Sequence, residues 1–131
     1  MDTAILARVE DFCTREGLLQ PGAPLRLAAA VSGGADSMAL LLLLRQLQPR
    51  FGYTLSACHV NHGLRGQSAD RDEAFVRAEC ARLGVPLRVF HAAELASPPA
   101  HAGEDWARRL RYTAFAQLQG QGIDAIATAH T

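Results

Sequence analysis

Lysine is absent from this sequence, because all 13 basic residues are arginine. Without lysine the chain forms no lysine Schiff base and cannot supply the lysine of a Walker phosphate-binding loop. The arginines are matched by 13 acidic residues, so the formal net charge is zero. This balance argues against strong nucleic-acid binding by this segment alone.

Cysteines, aromatic residues and long apolar runs are also scarce. Cys13, Cys58 and Cys80 form no CxxC pair, so they suggest neither a disulfide framework nor a structural zinc site. The longest apolar run, residues 38–44, is too short to cross a bilayer, and the first residues lack the basic and apolar stretches of a signal peptide, so we expect none. We therefore expect a reduced, cytoplasmic protein, and its 131 residues suffice for one domain.

Strand-like and helix-like segments alternate along the chain. Predicted strands cover residues 25–31, 53–60, 86–90 and 123–127, and predicted helices cover 3–16, 37–48, 68–83 and 104–118. The second helix should stop before Pro49. The third should bury a face drawn from Ala74, Phe75, Ala78 and Leu83, and the fourth a face with Trp106, Leu110, Ala114 and Leu118. The alternation predicts an α/β fold with a doubly wound parallel sheet.

The sequence stops after the fourth strand, with no helix following to cover it. We expect residues 1–131 to be the N-terminal part of a longer catalytic domain. The alternative is a complete small protein with a disordered or self-associating end.

A glycine-containing loop, SGGADS, follows the first strand, where doubly wound sheets bind their ligands. Gly33 and Gly34 allow a tight turn that brings backbone N–H groups close to a ligand, at the positive end of the next helix. Ser32 and Ser37 add hydroxyls, so the loop predicts an anion site that needs no lysine. Asp36 would repel a bare phosphate and is best explained by a magnesium ion. The alternative is an ordinary strand-to-helix turn with Ser37 as N-cap.

The second strand leads into another polar cluster, CHVNHGLR, at residues 58–65. His59 and Asn61 share one face of the strand because side chains alternate. His62 and Arg65 fall in the following loop, where an arginine can meet a phosphate or stack on a base. The alternative is a satisfied strand histidine at 59 and a solvated arginine at 65.

The fourth helix and the chain end supply two further candidates. Arg111 has no acidic residue three or four positions away, so we expect it to meet a phosphate. Arg108 and Arg109 can instead pair with acidic residues one turn earlier. His130 follows the last strand, and a frayed terminal histidine is the alternative there.

Together these motifs resemble the tRNA(Ile)-lysidine synthetases, which belong to the N-type ATP pyrophosphatases. SGGADS looks like their PP-loop, and a similar HVNHGLR follows their second strand. Ala107, Arg108, Arg111 and Tyr112 match their alanine-arginine and arginine-tyrosine pattern. The resemblance implies a Rossmann-like, adenine nucleotide alpha hydrolase-like fold with strand order 3-2-1-4, truncated after strand four. It also implies that His130 lies across the crevice from the PP-loop.

By that resemblance, ATP adenylates C2 of the wobble cytidine in tRNA(Ile) with a CAU anticodon, and free L-lysine then displaces AMP to give lysidine. The implied partners are ATP, Mg²⁺, L-lysine and tRNA(Ile), with no membrane, and a homodimer is left open. The expected nucleotide contacts are Ser32, Gly33, Gly34, Ala35, Asp36, Ser37, His59, Asn61 and His62. The expected catalytic residues are Asp36, Arg65, Arg111 and His130. Because the tRNA-binding domains lie outside these residues, we expect the 131-residue chain to bind ATP weakly and to form no lysidine.

Two other interpretations stay open. A tRNA 2-thiocytidine enzyme shares the PP-loop, but its relatives carry a CxxC near the third crossover helix, and residues 103–112 contain no cysteine. A nucleotide-binding module without catalysis would bind ATP and release no pyrophosphate.

Overall fold

The computed structural model describes residues 25–63, 67–95 and 103–129. In these ranges the strands are β1 (Arg26–Ala30), β2 (Thr54–Asn61), β3 (Leu87–His91) and β4 (Ala125–Ala127), and the helices are α1 (Ala35–Phe51), α2 (Gln67–Leu83), α3 (Ala92–Leu95) and α4 (Glu104–Gly120). The predicted helix over residues 3–16 lies outside the described residues. None of the helices in the described ranges is long and apolar enough to span a membrane.

The four strands form one parallel sheet in the order β3-β2-β1-β4. β1 is central and pairs with β2 on one side and β4 on the other, so Ala28 lies between Ser56 and Ile126. Ala28 and Ala29 are fully buried, and their small side chains leave room for helices to approach both faces of the sheet. The predicted α/β fold and strand order are confirmed.

Helices cover both faces of this sheet. One core joins Leu41, Leu44 and Phe51 of α1 to Val76 and Cys80 of α2, over side chains of β1 and β2. A smaller core on the opposite face joins α4 to β2 and β3; its buried members are Cys58, Phe90, Ala114 and Leu118. Parallel strands covered on both faces are the expected arrangement for right-handed crossovers.

The predicted end of the first crossover helix is wrong. α1 continues through Pro49 to Phe51, although proline removes one hydrogen bond from a helix. Phe51 is buried in the core, and Gly52 adopts a φ of 74° and donates its N–H to the carbonyl of Gln48. Packing of Phe51 and this left-handed cap therefore hold the last turn in place.

The predicted buried face of the 68–83 helix is also wrong, apart from Leu83, which is partly buried against the larger core. Phe75 is 48% exposed, and Ala74 and Ala78 are exposed too. α2 instead buries Ala69, Val76 and Cys80, which lie on one row of the helix. Apolar residues are sparse in α2, so the sequence alone left several faces of similar hydrophobicity. In α4 the predicted Leu110, Ala114 and Leu118 are buried, joined by Ala107, while Trp106 is half-buried.

Candidate functional site

A cleft of about 340 Å³ opens at the carboxyl ends of β1 and β2. The backbone of residues 30–37 forms one wall, β2 forms the floor, and α2 and α4 supply the remaining sides. Its polar side chains are Ser32, Asp36, Ser37, His59, Asn61, His62, Asp72 and Arg111. Residues far apart in sequence thus meet where a doubly wound sheet binds its ligand.

The 32–37 loop is held by hydrogen bonds between its own two serines. The Ser37 hydroxyl donates to the carbonyl of Gly34 at 3.1 Å and accepts the N–H of Ser32 at 3.0 Å. Because its single proton is used on Gly34, the 3.1 Å contact between the hydroxyls must have Ser32 as donor. Ser32 Oγ in turn accepts the N–H of Gly34 at 3.2 Å. Both hydroxyl protons therefore stabilise the loop itself.

The backbone N–H groups at the start of α1 are the polar groups of this loop that are available to bind a ligand. Gly34 is the N-cap and no side chain caps the helix, so the first N–H groups of α1 point towards the cleft side without an intrahelical partner. This arrangement suits an anion. Ser37 lies inside the first turn, so its expected alternative role as the N-cap is wrong.

Gly33 is required by both conformation and space. Its φ is 96°, which L side chains rarely adopt, and an added Cβ would lie 3.3 Å from the Cβ of Asp72 on α2. Asp72 lines the cleft, and the sequence analysis missed it. Asp72 is brought beside Gly33 by the packing of α2 against the loop, and no local pattern in the sequence indicates that approach.

His59 is 4% exposed and bonds to the backbone next to the loop. Its Nδ1 lies 2.7 Å from the carbonyl oxygen of Val31, the residue before Ser32. Its Nε2 is buried and has no hydrogen-bond partner among the described residues. His59, a predicted nucleotide contact, thus lines the cleft and has one ring nitrogen without a hydrogen-bond partner among the described residues.

Asn61, in contrast, has its amide fully engaged by the protein. Its Nδ2 donates to Asp70 at 3.1 Å and to Glu73 at 3.0 Å, and its Oδ1 accepts the N–H of Gly63 at 3.0 Å. These bonds tie the end of β2 to α2 and shape the turn that carries His62, which also lines the cleft. The geometry makes Asn61 a support for this wall.

Glu73 connects Asn61 to a charged group at the end of β3. Burial raises the pKa of Glu73, but hydrogen bonds from Asn61, Arg77 and His91 outweigh it and lower the pKa to about 2. His91 lies between two carboxylates, with Nε2 2.7 Å from Glu73 and Nδ1 3.3 Å from Glu94. The hydrogen bond to Glu73 is the main reason that the pKa of His91 is raised.

Arg111 extends from α4 to the cleft and is half-buried there, beside Phe115. It forms no ion pair with any described residue, which agrees with its isolation from acidic residues in the sequence. The neighbouring arginines are placed differently. Arg108 lies over the exposed ring of Tyr112, 5.6 Å from its centroid, and Arg109 is exposed and lies outside the cleft.

Two of the predicted catalytic residues, Arg65 and His130, lie outside the described residues. Asp36 and Asp72 both line the cleft and offer carboxylate oxygens, the ligands that magnesium prefers. In the described ranges no three histidine, cysteine or acidic side chains cluster as a complete metal site. A magnesium ion would therefore keep water and phosphate oxygens as its other ligands, which is its usual behaviour.

A family profile described as a PP-loop domain matches residues 7–131. The chain belongs to the PP-loop family. This match includes the 32–37 loop, and we call the cleft beside that loop the PP-loop cleft.

Curated relatives of this PP-loop chain are tRNA(Ile)-lysidine synthases. The protein of Treponema pallidum is 41% identical over 122 residues, which cover 86% of this chain and 25% of the relative. That of Symbiobacterium thermophilum is 39% identical over 129 residues, covering 96% and 26%. The chain thus spans about a quarter of the length of these relatives.

The fold of the PP-loop chain also has a solved counterpart. The U34-tRNA thiolase NcsA from Methanococcus maripaludis, determined with its [4Fe-4S] cluster, superposes with a TM-score of 0.70. The match covers 88% of this chain and 40% of the thiolase, at 20% identity. At this level of identity the similarity shows a shared fold.

Proposed function

We propose that this chain is the nucleotide-binding part of a tRNA(Ile)-lysidine synthase and that the PP-loop cleft holds ATP. The single observation that carries the proposal is the convergence on one cleft of the self-bonded 32–37 loop, the uncapped start of α1 and Arg111, which has no ion-pair partner among the described residues. The identity of 35–42% to lysidine synthases over most of this chain supports the choice within the PP-loop family.

The loop would bind the pyrophosphate part of ATP through backbone N–H groups. Both serine hydroxyls already hold the loop, so the cradle exists before the ligand arrives and needs little reorganisation. The positive end of the α1 dipole adds to the attraction for the leaving pyrophosphate. Ser32, Gly33, Gly34, Ala35 and Ser37 are therefore assigned to phosphate binding.

Charge at the reacting phosphate would be offset by two groups from opposite sides. Arg111 brings a guanidinium from α4, where it can make charge-assisted hydrogen bonds to the α-phosphate. Asp36, with Asp72 nearby in the cleft, would hold a magnesium ion, which when bound offsets the negative charge of the phosphates. We also propose that Arg65 and His130 help to offset the negative charge at the reacting phosphate.

The proposed reaction has two steps. The oxygen on C2 of the wobble cytidine attacks the α-phosphate and pyrophosphate leaves; the amine of free L-lysine then attacks C2 and AMP leaves. Recognition of tRNA(Ile) and of L-lysine belongs to the whole protein, whose relatives are about four times longer than this chain. A cytoplasmic location follows from this proposal, and a homodimer stays a prediction.

The test is pyrophosphate release by the whole protein to which this chain belongs. Pyrophosphate release over many turnovers should require ATP, L-lysine and tRNA(Ile), because lysine is needed to clear the adenylated tRNA, and nucleoside mass spectrometry should find lysidine at the wobble position. The matched control is the same tRNA with uridine in place of the wobble cytidine, which should give no product. Multiple-turnover release that does not depend on lysine would refute the ligase assignment.

The 2-thiocytidine type of tRNA-modifying enzyme is the alternative. Both cysteines in the described residues are buried, and burial raises the pKa of the Cys58 thiol, which lines the cleft, to about 12. Such a thiol is a poor nucleophile. A sulfur-containing cytidine in the same mass spectrometry experiment would favour the alternative over lysidine.

A further inference from the structure

The hydrogen bond between His59 and Val31 fixes which ring nitrogen carries the proton. A carbonyl oxygen can only accept, so Nδ1, 2.7 Å from Val31 O, must be the N–H donor. No carboxylate contacts either ring nitrogen within the described ranges, so nothing there would compensate a buried imidazolium. In the neutral ring the second nitrogen, Nε2, is then an acceptor with a free lone pair.

This acceptor is buried beside the PP-loop cleft and unused. Nε2 has no partner among the described residues, whereas Ser32, Ser37 and Asn61 around it have their polar groups satisfied by the protein. Buried polar atoms without a partner are uncommon in folded proteins, and the residue that carries this one lines the cleft, where a ligand can complete the bond. The ring is 4% exposed, so it keeps this orientation before a ligand binds.

We propose that His59 Nε2 is a specificity-determining acceptor that binds an N–H or O–H donor on the nucleoside part of the ligand. A phosphate oxygen is itself an acceptor at neutral pH and would face the Nε2 lone pair unfavourably. The chemistry required is therefore a hydroxyl of the ribose or the exocyclic amine of adenine. This proposal rests on the proposed binding of ATP and adds to it which part of the nucleotide His59 contacts.

The same side chain couples this acceptor to the phosphate loop. Val31, the residue before Ser32, also donates its N–H to the carbonyl of Cys58 at 2.8 Å. Both backbone polar groups of Val31 are therefore hydrogen-bonded to β2, the N–H to Cys58 and the carbonyl to the His59 ring. The nucleoside and phosphate subsites are thus one residue apart along the backbone. A nucleotide whose donor meets Nε2 would have its phosphates placed against a loop of fixed position.

The experiment combines two variants of His59 with nucleotides that each lack one donor. His59→Asn keeps an amide N–H that can reach Val31 O and leaves no acceptor at the Nε2 position, while His59→Gln restores an acceptor near it. ATP, 2′-deoxy-ATP, 3′-deoxy-ATP and inosine triphosphate are compared by dissociation constant in the unmodified chain. Ser56→Ala, on the same strand and outside the cleft, is the matched control.

In the unmodified chain, one of the three analogues should bind about tenfold or more weakly than ATP, because it leaves a buried acceptor unpaired. In His59→Asn that preference should disappear, since ATP itself binds as weakly as the analogue. In His59→Gln part of it should return, and in Ser56→Ala it should be unchanged. The analogue that binds more weakly identifies which donor contacts Nε2: the adenine amine, the 2′-hydroxyl or the 3′-hydroxyl.

Equal binding of all four nucleotides to the unmodified chain would overturn the proposal, since the acceptor would then be satisfied by water. An equal loss for every nucleotide in His59→Asn would also overturn it, because that pattern indicates a purely structural histidine. Absence of any ATP binding by the folded, unmodified chain would instead refute the proposed function, and this proposal with it.

Discussion

Two histidines stand at the carboxyl ends of neighbouring strands and have opposite surroundings. His59 on β2 is 4% exposed, and Val31 O is its hydrogen-bond partner. His91 on β3 lies between Glu73 and Glu94 and its side chain is 47% exposed. We call the first region, with the 32–37 loop, the cleft end, and the second, with its two carboxylates, the β3 end.

The difference lies in how each region uses its polar atoms. The β3 end pairs its charges with one another, so its contribution is to stability and to the support of Asn61. The cleft end keeps a ring nitrogen, helix N–H groups and a guanidinium unpaired within the described residues. A site for ligands is thus recognised by unused polar groups that the fold holds in place, and the number of polar residues alone does not mark it.

Gly33→Ala should have the largest effect, at the cleft end. Alanine at a φ of 96° is strained by about 1–3 kcal/mol, and its Cβ would press on Asp72. We expect the loop to shift and ATP affinity to fall at least about tenfold, a loss of ~1.4 kcal/mol. Isothermal titration with ATP measures the change.

Gly84→Ala is the matched control for that variant. Gly84 has a φ of 70° and no atom near the position of an added Cβ, and it lies at the end of α2, away from the cleft. It should lower the thermal midpoint without changing ATP affinity. If both glycine variants weakened ATP binding equally, the loss would reflect global strain and the assignment of Gly33 would fail.

Arg111→Ala should come next, because it removes a cleft guanidinium that has no ion-pair partner in the part of the chain that the structure describes. A charge-assisted hydrogen bond is worth about 1.5–3 kcal/mol, so pyrophosphate release should slow by roughly 10- to 100-fold. Arg109→Ala, on the exposed side of the same helix, should leave the rate unchanged. A rate that survives the loss of Arg111 would remove it from the proposed site.

Asn61→Ala tests the link between the two regions. It removes two donated hydrogen bonds and the acceptor for Gly63, which should lower the free energy of unfolding by about 1–3 kcal/mol. Asn61→Asp should be more harmful near neutral pH, because it sets a third carboxylate beside Asp70 and Glu73. Chemical denaturation compares them, and an aspartate variant as stable as the parent would contradict the network.

His91→Gln should have the smallest effect, confined to stability. The raised pKa of His91 means that its contribution is present below its ordinary value of 6.5 and fades as the pH rises through the raised value. The lowered pKa of Glu73, about 2, means that its contribution is present above 4.5 and is lost as the pH falls towards 2.

The stability difference between the parent and His91→Gln should therefore be greatest between pH 4.5 and 6.5. Because His91 is about half exposed, we expect less than about 1 kcal/mol. Thermal unfolding measured across this range tests the prediction. A difference that grew above pH 8 would contradict the proposed charge pairing, and reduced ATP affinity would contradict the separation of the two regions.

Much of the fold was predictable because strands and crossover helices leave local signals. The short apolar runs located the four strands of the described ranges, and Gly84 marked the end of α2 as expected. The end of α1 was wrongly predicted before Pro49, because the sequence does not show that Phe51 is buried and that Gly52 can cap the helix about one turn later. Phe75 was wrongly predicted to be buried, because hydrophobicity alone does not show which row of α2 residues faces the sheet.

The site was predictable in its loop and less so in its walls. The glycines and serines of residues 32–37 follow a strand directly, so the chain itself brings them to the cleft. Asp72 and Phe115 reach it only through the packing of α2 and α4, which depends on distant contacts. The roles of His59 and Asn61 look alike in sequence, and they differ in the structure because β2 places one against Val31 and the other against α2.

The most direct test of the central claim is titration of ATP with Mg²⁺ into the 131-residue chain, with circular dichroism to verify that it is folded. The account predicts weak, saturable binding that pyrophosphate displaces and that Gly33→Ala abolishes or greatly weakens. Saturable binding that is indifferent to both pyrophosphate and Gly33→Ala, or no binding by a folded chain, would contradict the claim that the PP-loop cleft holds ATP.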